Sequence, residues 1–527
     1  MKREATTSAL LTTATPTGVV TAKTWIGFLA MSFGMLLAIL DTQIVASSLP
    51  DIQAGLHLKL DQLSWVQTSY LMSEVVAIPL TGWLTCVMST RGAFLAGISG
   101  FTAASIACAV SMNFWTFVPA RVIQGFCGGL LIPLVFSAIF LMFPPAARTR
   151  ATVIAGLMAM LAPTLGPTAG GFITDSLSWH WLFLINIGPG ILAIVLVAWA
   201  VSVDRPDWRR FGSVDLAALP LLALFLGCLQ VLLKDAPHRG SSDTEVLLLA
   251  GVCSACGAGL VYRCLRHPQP LIDLSAFRDR NFALGCWFSF VFGIGLYGAT
   301  YLLPVFLGLV RFYEALDIGE IMLVTGATQL IIAPVAAILE QRVDIRLLIA
   351  VGFGLFGIGL LGNGFMTYDT DFWGLFWQQI ARGAAIMLCL LPTTSLALNG
   401  LDTAHVPNAS GLFNLMRNLG GAIGLALIDT VIERRAPAHA EALIARLQAG
   451  DASAARLVGL PTERFIGVPI ADLDQAARDL VAPLIRRASL VAAFNDAWIA
   501  IGGLVLLSML LLPLLLRPRR STATRPA

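Results

Sequence analysis

The chain has 527 residues, 57% of them hydrophobic and 12% charged, with a mean hydropathy of +0.80. Soluble domains carry about 25% charged residues, so no set of soluble domains hides this much apolar surface, and the class left is an all-α integral membrane protein. The net charge of +3 decides little by its sum and points to no nucleic acid; its distribution along the chain carries the information.

Residues 1–24 read as a disordered cytoplasmic tail, rich in Thr and Ala with Lys2, Arg3 and Lys23, and the apolar run after them is too long for a signal-peptide core. Stretches of about twenty apolar residues mark membrane-spanning helices. Fourteen follow in order, at 25–49, 62–84, 92–112, 114–142, 150–172, 181–202, 213–234, 245–265, 281–308, 318–340, 345–366, 372–399, 408–430 and 490–516. Basic residues test this reading, because short cytoplasmic links are enriched in Lys and Arg. Arg91, Arg148, Arg150, Arg205, Arg209, Arg210, Arg263, Arg266, Arg278, Arg280, Arg342, Arg346 and the arginines of 517–527 all fall on alternate, inside links. The short outside links hold Lys59, Lys234, Arg239 and Arg311. Both termini are therefore expected in the cytoplasm.

The expected organisation is an N-terminal six-helix bundle at 25–202, a two-helix insert with linkers at 203–280, and a C-terminal six-helix bundle at 281–516, followed by a basic tail at 517–527. A faint repeat supports two halves: "LTCVMSTR" (Leu84–Arg91) and "LEQRVDIR" (Leu339–Arg346) each put Leu and Arg seven apart on a short inside link. One outside loop, 431–489, is long, and "AHAEALIARLQAG" and "DLDQAARDLVAPLIRRA" within it read as short amphipathic helices. "CSAC" (Cys253–Cys256) has redox or metal spacing but lies in an apolar helix without His or acidic neighbours, and reads as packing.

Several motifs stand at matching places along these spans. "LDTQIVASSLP" (Leu40–Pro50) opens the series, then "RVIQG" (Arg121–Gly125), "GPTAGG" (Gly166–Gly171), "WHWLFLINIGPG" (Trp179–Gly190) and "NASGLFNLMRNLGGAIG" (Asn408–Gly424). Together they resemble the fourteen-helix drug:proton antiporters of the major facilitator superfamily, the EmrB/QacA type. The resemblance implies a major facilitator fold of two six-helix halves plus two inserted helices. In the family's loop after the second helix, Gly-x-Leu-Ala-Asp-Arg-x-Gly-Arg, this chain keeps Gly82, Leu84 and Arg91. Cys86 replaces the Asp and Ser89 the second Gly. The charge pairing usual at that cytoplasmic gate is thus weakened or rebuilt.

The segment "APTLGPTAGG" packs two prolines and three glycines into ten helical residues. Helices in lipid associate through close backbone approach at small residues. Ala162, Gly166 and Gly170 share one face, with Pro163 and Pro167 one position along and Gly171 following, so the face suits a tight, dry contact. The resemblance adds that this seal, with Arg91 at the gate, blocks uncoupled leak.

Ionisable side chains inside a span cost several kcal/mol and are functional candidates by default. Five lie well inside: Asp41, Glu74, Arg121, Arg382 and Arg417. At about 1.5 Å of rise per residue, Asp41 lies roughly 6 Å beyond mid-span and Arg121 about 10 Å below the outer surface, so the two share a level and are expected to pair. A carboxylate beside an arginine stays ionised. Glu74, with no cation assignable to it, is the first choice for proton carrier; the rival assignment makes Asp41 the carrier, releasing Arg121. Arg382 and Arg417 are expected in structural pairs or opposite an anionic substrate. Gln124, Gln329, Gln379 and Asn414 are cavity candidates or polar glue between helices.

The reading is a proton-coupled multidrug exporter of the bacterial inner membrane. It is expected to move apolar or amphipathic compounds by alternating access, with the proton as coupling ion and no cofactor, metal site or catalytic residue. No phosphate-cradling Gly-Lys-Ser/Thr loop is present, so ATP does not drive it. Its partners are the lipid bilayer, small-molecule substrates and, as the resemblance implies, a periplasmic adaptor and an outer-membrane channel. The alternatives are an exporter or importer of one metabolite on the same fold, and a non-transporting receptor.

Overall fold

The computed structural model describes residues 20–208, 215, 217–239, 243–267, 270, 272, 274–398, 406–459 and 475–515. Of the expected tails, 1–19 and 517–527 lie outside that range, whereas Ala22, Lys23 and Thr24 already belong to the first helix, whose start Thr21 caps by accepting the Thr24 amide. The long helices are α1 (Ala22–Ser47), α2 (Trp65–Ala77), α3 (Thr81–Ala109), α4 (Phe114–Met142), α5 (Pro145–Ser176), α6 (Ile187–Ala200), α7 (Ala218–Arg239) and α8 (Thr244–Arg266). They continue with α9 (Arg280–Phe306), α10 (Ala315–Arg342), α11 (Ile345–Gly362), α12 (Phe372–Leu398), α13 (Val406–Gln448) and α14 (Gln475–Ser508). No strand occurs among the described residues.

Twelve described segments are long and apolar enough to cross a membrane. Two differences from the expected spans account for the lower number. Ala218–Leu233 is a shorter apolar helix, and Leu60–Ala109 forms one 50-residue apolar segment. A straight helix of that length would reach about 75 Å, against a hydrocarbon core of about 30 Å. The chain turns at Ser89, whose φ of 71° and ψ of 160° are not helical. The expected spans at 62–84 and 92–112 lie on either side of this break.

Most helix contacts join helices early in the chain to one another and helices late in the chain to one another, with α5 on α10 the strongest link between the two groups, called the N- and C-terminal bundles below. α1 packs on α4, α5 and α6, and α3 on α4; α9 packs on α13 and α12, α11 on α12 and α14, and α13 on α14. The contacts follow from small residues. Gly420 and Gly424 lay α13 on the backbone of Phe290 and Ile294 in α9, and Gly293 returns the contact at the Arg417 carbonyl. In lipid this close approach replaces the missing hydrophobic drive, which explains the run of glycines in "NLGGAIG". α7 and α8 pair with each other, and α7 leans on α13, where the Thr430 hydroxyl donates to the Leu233 carbonyl at 3.1 Å.

The long loop differs from its expectation. α13 continues unbroken to Gln448 and α14 begins at Gln475, so the first amphipathic segment and the described part of the second, from Gln475, are extensions of long helices rather than separate pieces; residues 472–474 lie outside the described range. Residues 438–449 are rich in Ala, Leu, Glu, Arg and Gln, all strong helix formers, and contain no glycine before Gly450. Leu443 and Leu447 of one extension pack with Val481 and Ile485 of the other and with Val458 of a short helix between them, a small core of its own.

Ser89 holds a left-handed φ that costs a non-glycine residue about 1–3 kcal/mol, partly offset because its hydroxyl accepts the Gly92 amide at 3.1 Å. Ser89→Gly should therefore raise the unfolding free energy by about 1 kcal/mol. Ser89→Ala, which keeps the strain and loses the cap, should lower it. Thermal melting of the purified protein in detergent reads both signs.

Candidate functional site

Asp41 sits on α1 with no exposed surface. Its Oδ2 meets Arg121 Nη1 of α4 at 2.5 Å, and its Oδ1 accepts from Gln124 Nε2 at 2.8 Å and Asn186 Nδ2 at 2.9 Å. Arg121 and Gln124 are three apart, so one helical face presents both donors. Gln124 also donates to Ser105 Oγ at 2.9 Å and accepts from Arg121 at 2.7 Å. Arg121 Nε donates to the Val66 carbonyl at 3.0 Å, and its guanidinium lies 4.7 Å from the Tyr70 ring and 5.6 Å from that of Phe183. Every one of these partners belongs to the N-terminal bundle. The carboxylate is an internal brace, turned away from the other bundle.

Glu74 is placed differently. It lies on α2, buried, with its backbone and side chain pressed on Gly129 of α4, where a Cβ would come within 2.9 Å of its Cα. α2 packs here on α13 of the C-terminal bundle, where Ile78, four residues after Glu74, approaches Gly411, and the Arg417 charge on α13 acts on the carboxyl. Arg417 Nη2 donates to Asn414 Oδ1 at 2.8 Å, and Tyr297 of α9 donates to Asn418 Oδ1 at 3.0 Å. A cavity of about 10 Å³ lies close by, lined by Thr42, Gln43, Gln67 and Leu71 from one bundle and Tyr297 and Thr300 from the other. Glu74 thus faces the interface across which the two bundles meet.

α5 is wedged between α1 and α10. A Cβ at Gly166 would strike Gln43, and one at Gly170 the Ile44 carbonyl, so both glycines press α5 on α1. On its other side, Gly171 meets the Ala315 carbonyl, and Gly319 and Gly326 of α10 meet the backbone of Pro167 and Thr164. Thr164 and Thr168 donate to the carbonyls of Gly326 at 3.2 Å and Gly319 at 3.0 Å. Asp175 accepts the amides of Ala315 at 3.2 Å and Leu316 at 2.8 Å, capping α10. Ala162 is fully buried in the same seam. The prolines and glycines therefore build a backbone-to-backbone joint between the bundles.

The sequence profile of the Major Facilitator Superfamily matches residues 31–425. The chain belongs to that superfamily. The colistin resistance protein EmrB of Acinetobacter baumannii is 42% identical over 414 residues, covering 78% of this chain and 81% of that protein. The multidrug export protein EmrB of Escherichia coli K12 is 31% identical over 416 residues, 78% and 80% of the two chains. These likenesses place the chain with the EmrB-type major facilitators. Among solved structures, a bacterial homologue of the human lysosomal transporter Spinster, inward-facing and unoccupied, aligns with a TM-score of 0.62 at 14% identity, over 96% of this chain and 100% of that one. A D-xylose–proton symporter gives the same TM-score and identity over 94% and 98%. At this identity the likeness is one of fold. A major facilitator is a membrane transporter and not an enzyme.

At the break in α3 Cys86 offers no acid, and Asp204, from the segment after α6, accepts the Thr90 amide at 2.8 Å and the Thr90 hydroxyl at 2.9 Å. Arg91 is half-buried beside it. The matching link in the second half uses the same device locally, with Asp344 accepting the Arg346 amide at 3.0 Å.

The remaining cavity candidates divide. Asn414 and Arg417 stand at the interface with Glu74. Gln124 belongs to the Asp41 brace. Gln379 and Arg382 lie inside the C-terminal bundle, where Arg382 donates to Gln379 at 2.6 Å and Thr325 of α10 donates to Gln379 at 3.0 Å. The Arg382 guanidinium lies 5.8 Å from the Trp498 ring. Gln329 is buried on α10. Among the acids that escaped the sequence reading, one joins the two bundles. Asp429, on α13, is 4% exposed and accepts from Ser64 at the foot of α2 and from Tyr301 of α9 at 3.0 Å, so it joins the two bundles. Its signal was its place one residue inside the end of a span. Asn186 and Ser105 carried no signal, because a lone amide or hydroxyl is common glue between helices.

Removing one partner of a buried ion pair costs about 3–5 kcal/mol, since the other charge is left uncompensated. Arg121→Ala should accordingly lose that much stability or fail to accumulate in the membrane. Gln124→Ala, which removes one neutral donor, should lose about 1–3 kcal/mol. Melting temperature and membrane yield check the order.

Proposed function

We propose that this chain is a proton-coupled multidrug exporter that exchanges external protons for apolar or amphipathic compounds. The carrying observation is that Glu74 is buried on α2 where that helix packs on α13 of the other bundle, within the field of Arg417. An ionised Glu74 is drawn to Arg417 and holds the bundles together at that level. A protonated Glu74 loses the attraction and lets them part, so that proton uptake and change of access are one event. Asp41 keeps its partners within one bundle and serves as the brace against which the bundle rocks. The joint between α5 and α10 seals the pathway to uncoupled leak, and the Arg91 link acts as the opposite gate. The drive is about 2.3 kcal/mol per 100 mV for each net charge moved.

The chain crosses the cytoplasmic membrane fourteen times in this reading, with both ends inside. Ala218–Leu233 is one crossing, and Leu60–Ala109 folds back at Ser89 as two. The hairpin of α13 and α14 then projects outside, where it offers a rigid post for a periplasmic adaptor leading to an outer-membrane channel. The names of the EmrB relatives support drug export, and the spread of arginines supports the orientation.

Glu74→Gln should abolish pH-driven efflux of a fluorescent drug from proteoliposomes while substrate binding and melting temperature stay unchanged. Undiminished pH-driven efflux would remove Glu74 from the coupling. For the topology, single cysteines placed at Asp243 and Ala452 should react with an impermeant maleimide from outside intact cells, and cysteines at Arg91 and Arg342 only after permeabilisation. Any reversal of that pattern breaks the fourteen-crossing count.

A further inference from the structure

Between the outward extensions of α13 and α14 lies a cavity of about 580 Å³. Leu60, Ile432, Ala436, Ile444, Ile485 and Leu490 line it, with Glu433 and Arg486 at its edge. Drug-sized ligands occupy cavities of about 300–1,000 Å³ with mostly apolar walls. The small core of Leu443, Leu447, Val458 and Val481 adjoins it through Val481. The groove's volume is that of a small molecule's site.

The near end abuts the joint between the bundles. Asp429, Ile432, Ala436, Ala440 and Ile444 are spaced three or four apart, so they share one face of α13, with Glu433 beside Ile432. That face begins at the Asp429 carboxylate, which accepts from Ser64 of the N-terminal bundle and Tyr301 of the C-terminal one. It then runs about 22 Å outward along the groove. Leu60, four residues before Ser64, brings the N-terminal bundle to the floor of the same groove. A molecule leaving the interface past Asp429 meets this apolar surface directly.

We infer that the groove is an exit site, resting on the export reading above: it holds the exported apolar or amphipathic compound just outside the joint, with the compound's polar end toward Glu433 and Arg486. The lining offers no hydrogen-bonding side chain in its depth beyond Ser489, so the buried part of the ligand is hydrocarbon or aromatic. An occupied groove keeps the compound from sliding back into the bilayer beside the open mouth.

The test uses the full chain in nanodiscs and a diazirine-bearing dodecyl alcohol as photoreactive probe, with adducts mapped by mass spectrometry. Adducts are expected on 432–444 and 481–490. Ala440→Trp and, as a milder filling, Ala436→Leu should each cut them by about tenfold or more, the effect of some 1.4 kcal/mol of lost binding, without moving the melting temperature. Export by both variants should slow while Glu74-dependent pH coupling persists. Adducts confined to other helices, or unchanged by both variants, overturn the exit site, as does a tightly held phospholipid in the groove that the probe fails to displace. Labelling needs no pH gradient. Missing adducts in a chain that exports therefore refute the exit site alone, and groove adducts in a chain that does not export refute the export reading alone.

Discussion

Asp41 is met by Arg121, Gln124 and Asn186 from its own bundle, whereas Glu74 is buried on α2 where that helix packs on α13 of the other one. The difference matters because a charge in hydrocarbon has to be paired or neutralised. A carboxylate paired inside one rigid body has no reason to change state when that body moves as a whole. One paired across a moving interface gains or loses its partner with each rearrangement. The same physics that makes both acids costly thus assigns them different work in the proposed cycle.

The second constraint is backbone proximity. α5 approaches α1 and α10 so closely that a single added methyl at Gly170 or Gly171 meets a carbonyl. In water, prolines and glycines at this density would undo a helix. Here the threonine hydroxyls of α5 donate across to carbonyls of α10, and lipid offers no competing partner for the backbone. The joint is made of main chain, which lets it part and close as two rigid surfaces.

Much of the architecture was legible in the chain. Apolar runs located the helices, and small-residue motifs marked the closest packings. The boundaries near Ser89 and the reach of α13 to Gln448 were not, since hydropathy sees neither a left-handed φ nor helix that continues into water on Ala, Leu and Glu alone. The Asp41–Arg121 contact followed from depth, because both positions can be counted along straight helices. The surroundings of Glu74 did not, because depth says nothing about which face of α13 turns inward. The bonds from Thr90 to Asp204 were equally hidden, since a carboxylate more than a hundred residues away becomes a cap only when α3 and the segment after α6 meet.

The sequence by itself determined the class, the family and the identity of the buried charges, because each of those depends on what a segment is made of and how far it must reach through oil. Tertiary structure alone decided which charge pairs within a bundle and which pairs between bundles. It also decided that two helix ends rise together to enclose a groove. Those outcomes depend on rotation about helix axes and on contacts between distant segments, and a linear pattern with a period of 3.6 residues leaves the first ambiguous and the second unseen.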